Sequence, residues 1–262
     1  MPDTKIVVPD TNSQSPFISV LVPAFNEAAE LPRMLTSVQE AFAAIGRTDF
    51  EVVVCDNNSS DATADIASAQ GARVVFETHN QIARARNAAA KAARGEWFIF
   101  IDADSVLSPE LLTATLSDIQ SGKSLGGGAR VAFDRDSIPL YIRAGLASWN
   151  SLSRSLRWAA GAYIYCSRPA FESTGGFDER VYASEEIGFS RKLKRLARKE
   201  RKQFHILQKT PILTSARKAD QFTFGQTVLQ VLRCAWPGSL RRRDRCGFWY
   251  RRGPAKQFRN FS

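Results

Sequence analysis

The sequence is poor in the residues that build disulfide or metal-thiolate frameworks, with four cysteines and two histidines in 262 residues. Cys55, Cys166, Cys234 and Cys246 lie far apart, form no C-x-x-C pair and cluster with neither histidine. Neither a zinc site nor a disulfide scaffold is expected, and a reducing cytoplasm is the expected setting. His79 and His205 stand outside any metal-spacing pattern and read as structural. Cys55 reads as a small buried residue rather than a nucleophile. No run of about 18 consecutive apolar residues occurs, so no membrane-spanning helix is expected. Residues 1–16 lack a basic segment followed by an apolar one and read as a loose leader rather than a signal peptide. Also missing are a G-x-G-x-x-G or P-loop pattern and any solenoid-like repeat, so the glycines at 126–128 are expected to be structural.

Acidic residues become scarce toward the C-terminus. Residues 190–262 hold 20 Lys/Arg and three Asp/Glu, against 16 and 23 in residues 1–189, so the net charge of +10 belongs to the last quarter. Such asymmetry points to an anionic partner for that part: lipid headgroups, substrate phosphates or nucleic acid.

What is present is a regular alternation of apolar strands and amphipathic helices. FISVLVPAF (17–25) reads as a strand, and Leu31, Leu35, Val38, Phe42 and Ile45 recur at helical spacing up to Gly46. FEVVVCD (50–56) is a second strand, followed by a capping loop (57–61) and a helix to Gly71. ARVVFET (72–78) is a third strand, and the alanine-rich segment 80–96 a helix. A helix begins near Pro109, followed by strands at 126–133 and 161–167. Residues 140–160 set Ile142, Leu146, Trp149, Leu152, Leu156 and Ala159 on one helical face, read as facing the core, with an acceptor or interface helix as the alternative. Beyond a double-glycine turn, a helix carries Glu185 and Glu186 in its first turn, where its dipole favours anions. A short strand in FHILQKTPIL and an amphipathic helix around Phe224–Ala235 precede a tail that mixes arginines with Phe248, Trp249 and Tyr250. This order implies an α/β, doubly wound, mainly parallel sheet with right-handed crossovers.

The apolar run Trp97–Ile101 stops at Asp102-Ala103-Asp104. An unbroken apolar run reads as a strand buried on both faces, so the two carboxylates belong at its carboxyl end. Ligands of open α/β sheets bind at that edge, and carboxylates beside phosphate oxygens hold hard divalent cations. A strand followed by an acidic turn is the plainer alternative.

Five motifs in order give the chain a resemblance to the family-two glycosyltransferases: PAFNE (23–27), CDNNSSD (55–61), N-x6-N from Asn80 to Asn87, IDADS (101–105), and GGFDER leading to an acidic pair. The resemblance runs from about Phe17 to about Lys218. It implies a GT-A (Rossmann-like) domain over 17–218, with a nucleotide-binding half (17–104) and an acceptor half (105–218), ahead of a helical, basic extension (219–262).

It further implies Pro23, Phe25 and Glu27 lining the nucleotide pocket, Asp56 near the base, and Arg86 near the base or diphosphate. Asp104 would bind Mg²⁺ or Mn²⁺, Asp102 would help through ribose or water, and Arg217 and Lys218 would add positive charge to the diphosphate. Family members usually carry Glu-Asp where this chain has Glu185-Glu186, so the catalytic base is Glu186 or Glu185.

The expected activity is metal-dependent, inverting transfer of a single sugar from a nucleoside diphosphate, UDP or GDP, to a hydroxyl or lipid phosphate. The membrane helices and Q-x-x-R-W motif of the processive members are absent. Alternatives are a non-catalytic nucleotide-sugar or nucleic-acid binder, or a sugar nucleotidyltransferase. The last would want a glycine-rich basic loop, and PAFNEAAELPR has no glycine. The tail at 239–262 suits peripheral contact at the inner face of the cytoplasmic membrane. Nucleic acid is not expected, since no known binding motif surrounds the arginines.

Overall fold

A computed structural model describes residues 15–135, 138–217, 239–241 and 246. The expected amphipathic helix, Lys218 and nearly all of the basic tail lie outside them. Strands β1 (Ile18–Ala24), β2 (Phe50–Asp56), β3 (Arg73–Phe76) and β4 (Trp97–Ile101) alternate with helices α1 (Leu31–Ala44), α2 (Thr63–Ala69) and α3 (Ile82–Ala92). Then come β5 (Ser105–Val106), α4 (Pro109–Gln120), β6 (Ser124–Phe133), α5 (Leu140–Leu156), β7 (Tyr163–Ser167), α6 (Arg168–Thr174), α7 (Glu185–Lys199) and β8 (Gln203–Thr214). All eight strands join one sheet in the order β3-β2-β1-β4-β7-β6-β8-β5.

The β3-β2-β1-β4 part is wholly parallel. Its strands alternate between two cores. Ile18, Val20, Val22, Ile99 and Ile101 pack on one side with α1 and α4, while Leu21, Phe98 and Phe100 pack on the other with α3, α6 and α7. That double burial explains why the strands read as continuous apolar runs rather than alternating ones. The sheet is mainly parallel, as expected, and its second half adds antiparallel pairings. β7 runs antiparallel to both β4 and β6, β6 and β8 pair in parallel across two register shifts, and β8 is 12 residues long rather than short.

The glycines of β6 are there for packing: a Cβ on Gly126 would stand 2.3 Å from the Tyr165 carbonyl, and one on Gly127 2.4 Å from that of His205. The core-facing reading of 140–160 needs correction. The helix stops at Leu156, short of Ala159. Leu146 and Trp149 pack against the core, but Leu152 and Leu156 are exposed. Among the described residues no helix is long and apolar enough to cross a membrane.

Phe100 is fully buried and meets Phe171, Phe177 and Phe189 at centroid distances of 5.7, 5.0 and 6.4 Å. Phe100→Ala should therefore cost about 3–5 kcal/mol in chemical denaturation. Exposed Phe76, changed to serine, should stay within about 0.5 kcal/mol of the parent.

Candidate active site

In the parallel half the chain winds from β1 outward through β2 to β3, then returns to place β4 on the other side of β1. The crevice beyond the carboxyl ends of β1 and β4 is thus the switch point where open α/β sheets bind ligands. A cleft of about 160 Å³ lies there. Its walls include Pro23, Phe25 and Glu27 after β1, Asp102 and Asp104 after β4, Arg86 of α3, and Glu185 and Glu186 of α7.

The floor is tied together by short-range hydrogen bonds. Asn26, at φ 51°, accepts from the Ser60 amide at 2.8 Å, and the Glu27 amide donates to Thr63 Oγ1 at 2.8 Å. Asp61 accepts from the amides of Ala28 and Thr63 and from the Thr63 hydroxyl. PAFNE and CDNNSSD are therefore two halves of one bonded loop pair. Asp56, opposite Ala24 in register, is buried and accepts from the Ser59 amide at 3.1 Å. It does not line the cleft; the neighbouring Asn57 does. Asn57 accepts from the Gln81 amide at 2.8 Å and donates to the carbonyls of Glu77 and His79.

Arg86 is 1% exposed. Its guanidinium donates to Glu185 Oε1 at 2.5 Å, to Asp102 Oδ1 at 2.9 Å and to the Gly161 carbonyl at 3.1 Å, and sits 5.3 Å from the centre of the Phe177 ring. Burial alone would lower its pKa, but Asp102 and Glu185 hold it above the ordinary arginine value. One buried cation thus joins the end of β4 to the start of α7. Gly161 belongs to this contact, because a Cβ there would lie 2.6 Å from Arg86 Nη2. Its role was not legible in the sequence, where it is one glycine after two alanines.

The acidic pair divides by environment. Glu185 is buried against Arg86, whereas Glu186 is half-buried on the cleft wall. Burial pushes both carboxyls up; for Glu186, the adjacent Glu185 charge adds to the rise and brings it to about 8, with Arg86 opposing.

On the opposite wall, β5 pairs with the end of β8, matching Ser105 with Thr214. The Ser215 amide donates to the Asp104 carbonyl at 2.9 Å. This pairing brings Arg217 to Glu27, at 3.0 Å from Oε2, with Asp104 Oδ2 at 3.8 Å and Glu30 Oε1 at 4.0 Å. Arg217 thus reaches the cleft through Glu27.

Among the described residues no group of three or more His, Cys, Asp or Glu side chains is arranged to hold a metal alone. Asp102 and Asp104 offer two hard oxygen donors, with side chains 28% and 8% exposed. Mg²⁺ is typically held by one or two carboxylates plus substrate phosphates and water, so this donor set fits a cation that arrives with a diphosphate. The remaining polar candidates are structural. His79 Nε2 lies 3.1 Å from the Tyr182 hydroxyl and His205 Nε2 3.3 Å from Asp118. Burial, aided by the charges of Glu77 and Asp56, pushes the Cys55 thiol up to about 12.

Solved structures that share this fold include GT-A glycosyltransferases. Mannosyltransferase PcManGT from Pyrobaculum calidifontis, solved with GDP-Man and Mn²⁺, superposes with a TM-score of 0.62 at 20% identity, covering 86% of this chain and 62% of that one. Glucosyl-3-phosphoglycerate synthase from Mycobacterium tuberculosis, solved with Mn²⁺, UDP and glucosyl-3-phosphoglycerate, gives 0.59 at 21% identity, covering 88% and 80%.

Residues 19–169, more than half the sequence, match the model of glycosyl transferase family 2, and the chain belongs to that family. Validoxylamine A glucosyltransferase of Streptomyces hygroscopicus subsp. jinggangensis is 32% identical over 116 residues, 42% of this chain and 27% of that protein. Dolichol-phosphate mannosyltransferase of Mycosarcoma maydis is 29% identical over 163 residues, 57% and 55% respectively. The chain spans less than two thirds of the length of these curated relatives. Glu185 and Glu186 lie beyond the matched segment.

Truncating Arg86 to alanine strands a buried carboxylate and a cleft carboxylate. The expected loss is about 3–5 kcal/mol in urea denaturation, and lysine, lacking the planar fork, should restore only part of it.

Proposed function

We propose that the protein is a metal-dependent, inverting glycosyltransferase that moves one sugar from a nucleoside diphosphate to a hydroxyl acceptor. The observation that carries the reading is that Glu186, held half-buried with a raised pKa, faces Asp102 and Asp104 across one cleft at the switch point. The donor class draws support from the GDP-Man and UDP complexes of the two solved relatives.

In this reading Pro23, Phe25, Glu27 and Asn57 receive the nucleoside, with Asp56 supporting that loop from beneath. Asp104, with Asp102, would hold Mg²⁺ or Mn²⁺, which when bound would neutralise the charge developing on the diphosphate. Arg217 leaves Glu27 to lie along the diphosphate, and Lys218 adds a second positive charge. Arg86 orients Asp102 and Glu185 through its hydrogen bonds to both. Glu186 accepts the proton of the attacking hydroxyl, and Glu185, committed to Arg86, positions it. One base and one in-line displacement leave the anomeric centre inverted, and proton NMR of the product reads that outcome directly.

A base with a pKa of about 8 is protonated below that pH, so kcat/KM should rise with pH and level off above about 8. Glu186→Gln should lower kcat by roughly 10²–10⁴ and remove that limb. Retained activity in this variant would mean an acceptor that needs no base, such as a phosphate. EDTA should abolish transfer and Mn²⁺ should restore it. Asp104→Ala should stay inactive at any Mn²⁺ concentration, and a fully active Asp104→Ala enzyme would refute the mechanism.

A further inference from the structure

A second cavity, of about 310 Å³, lies at the far end of α7, lined by Ser155, Arg157, Lys194, Ala197, Arg198, Lys202 and Phe204. Its cationic residues come from three places in the chain: the end of α5, the last two turns of α7, and the turn into β8. Ala197 and Phe204 are buried beneath them.

Three features mark the cavity as more than a solvated basic surface. First, no carboxylate among the described residues forms an ion pair with any of the four cations. The single acid between 187 and 217, Glu200, is exposed and does not line the cavity. Second, the cations repel one another: burial, then the charges of Arg198, Arg157 and Arg191, hold Lys194 below the ordinary lysine value. Third, the backbone at Arg157 is left-handed (φ 51°), a helix-end conformation where glycine or asparagine is usual, yet the residue here is an arginine facing the cavity. Lys194 Nζ donates to the Leu156 carbonyl at 2.5 Å, which fixes that helix end beside the other cations. Residues 218–262 are themselves strongly basic, with Asp220 and Asp244 against ten Lys/Arg.

We infer that this cavity is a phosphate-binding site, separate from the cleft, for a ligand bearing one or two phosphate groups. Two guanidinium forks and two ammonium groups around an open space above an apolar floor match phosphate oxygens in charge and geometry, and Ser155 adds a hydroxyl donor. Twelve helical residues separate Glu186 from Arg198, about 18 Å along the axis, so a phosphate held there is not the one leaving the sugar. The phosphate belongs to a free phosphorylated molecule or to a lipid headgroup. Exposed Leu152 and Leu156 beside the cavity would meet the lipid in the second case.

The full chain is titrated with inorganic pyrophosphate in metal-free buffer by calorimetry, and separately floated with phosphatidylglycerol or phosphatidylcholine vesicles. Arg198→Gln/Lys202→Gln, both exposed and away from the core, should weaken binding at least tenfold with an unchanged melting temperature. Lys91→Gln/Arg143→Gln, which removes equal charge elsewhere, and Asp104→Ala should each bind within twofold of the parent. Saturable pyrophosphate binding with this pattern assigns a free phosphorylated ligand, and the same pattern with phosphatidylglycerol vesicles alone assigns a headgroup. The inference falls if neither probe binds, if the two double variants lose binding equally, if the Arg198/Lys202 pair loses none, or if Asp104→Ala abolishes it. None of these outcomes depends on sugar transfer.

Discussion

The buried guanidinium of Arg86 is the contact on which the candidate site depends. A cation this deep is tolerable only with its charge matched, and Asp102 and Glu185 match it from opposite walls of the cleft. Their separation is thereby fixed by the span of one planar group. Phe177 under the ring and Gly161 beside Nη2 leave the guanidinium little freedom to turn. The same contact sorts the acidic pair, since the carboxylate that faces Arg86 is committed and the next one is left on the cleft wall. What distinguishes Glu185 from Glu186 is a residue 99 positions away in sequence.

That distance explains what the sequence could and could not convey. β1, β2 and β4 were legible because strands buried on both faces must be continuously apolar, and α1 and α2 because each is stopped by a glycine at positive φ, Gly46 at 67° and Gly71 at 79°. The second half was less legible. Nothing in GAYIYCS encodes strand direction, so the antiparallel insertion of β7 between β4 and β6 was not foreseeable from an alternation that suggested parallel crossovers. A two-residue strand such as β5 has too few residues for any period. The leucines of α5 have helical spacing whether they face core or solvent, and Leu152 and Leu156 of that face are exposed.

The motifs fared unevenly for similar reasons. Pro23, Phe25, Glu27, Arg86, Asp102, Asp104, Glu185 and Glu186 converge on one cleft because each ends or begins an element that the sheet topology brings to the same edge. Asp56 does not line the cleft, and its carboxylate accepts from the Ser59 amide within the loop. Asn57, whose side chain bonds three backbone groups of the 77–81 stretch, was invisible as an individual residue; only its place in a polar loop hinted at it.

The setting of Arg217 has a consequence for how the cleft meets its ligands. Glu27, Glu30 and Asp104 would repel one another if left bare, and a guanidinium carried on the loop after β8 lies among them. Those carboxylates therefore already carry a tethered counterion. Under the proposed mechanism, a cation entering beside Asp104 would trade places with a charge that the chain itself supplies. The released arginine would then be available to whatever anion arrives alongside. On that reading loading is a two-body event, in which neither a cation nor an anion alone completes the exchange.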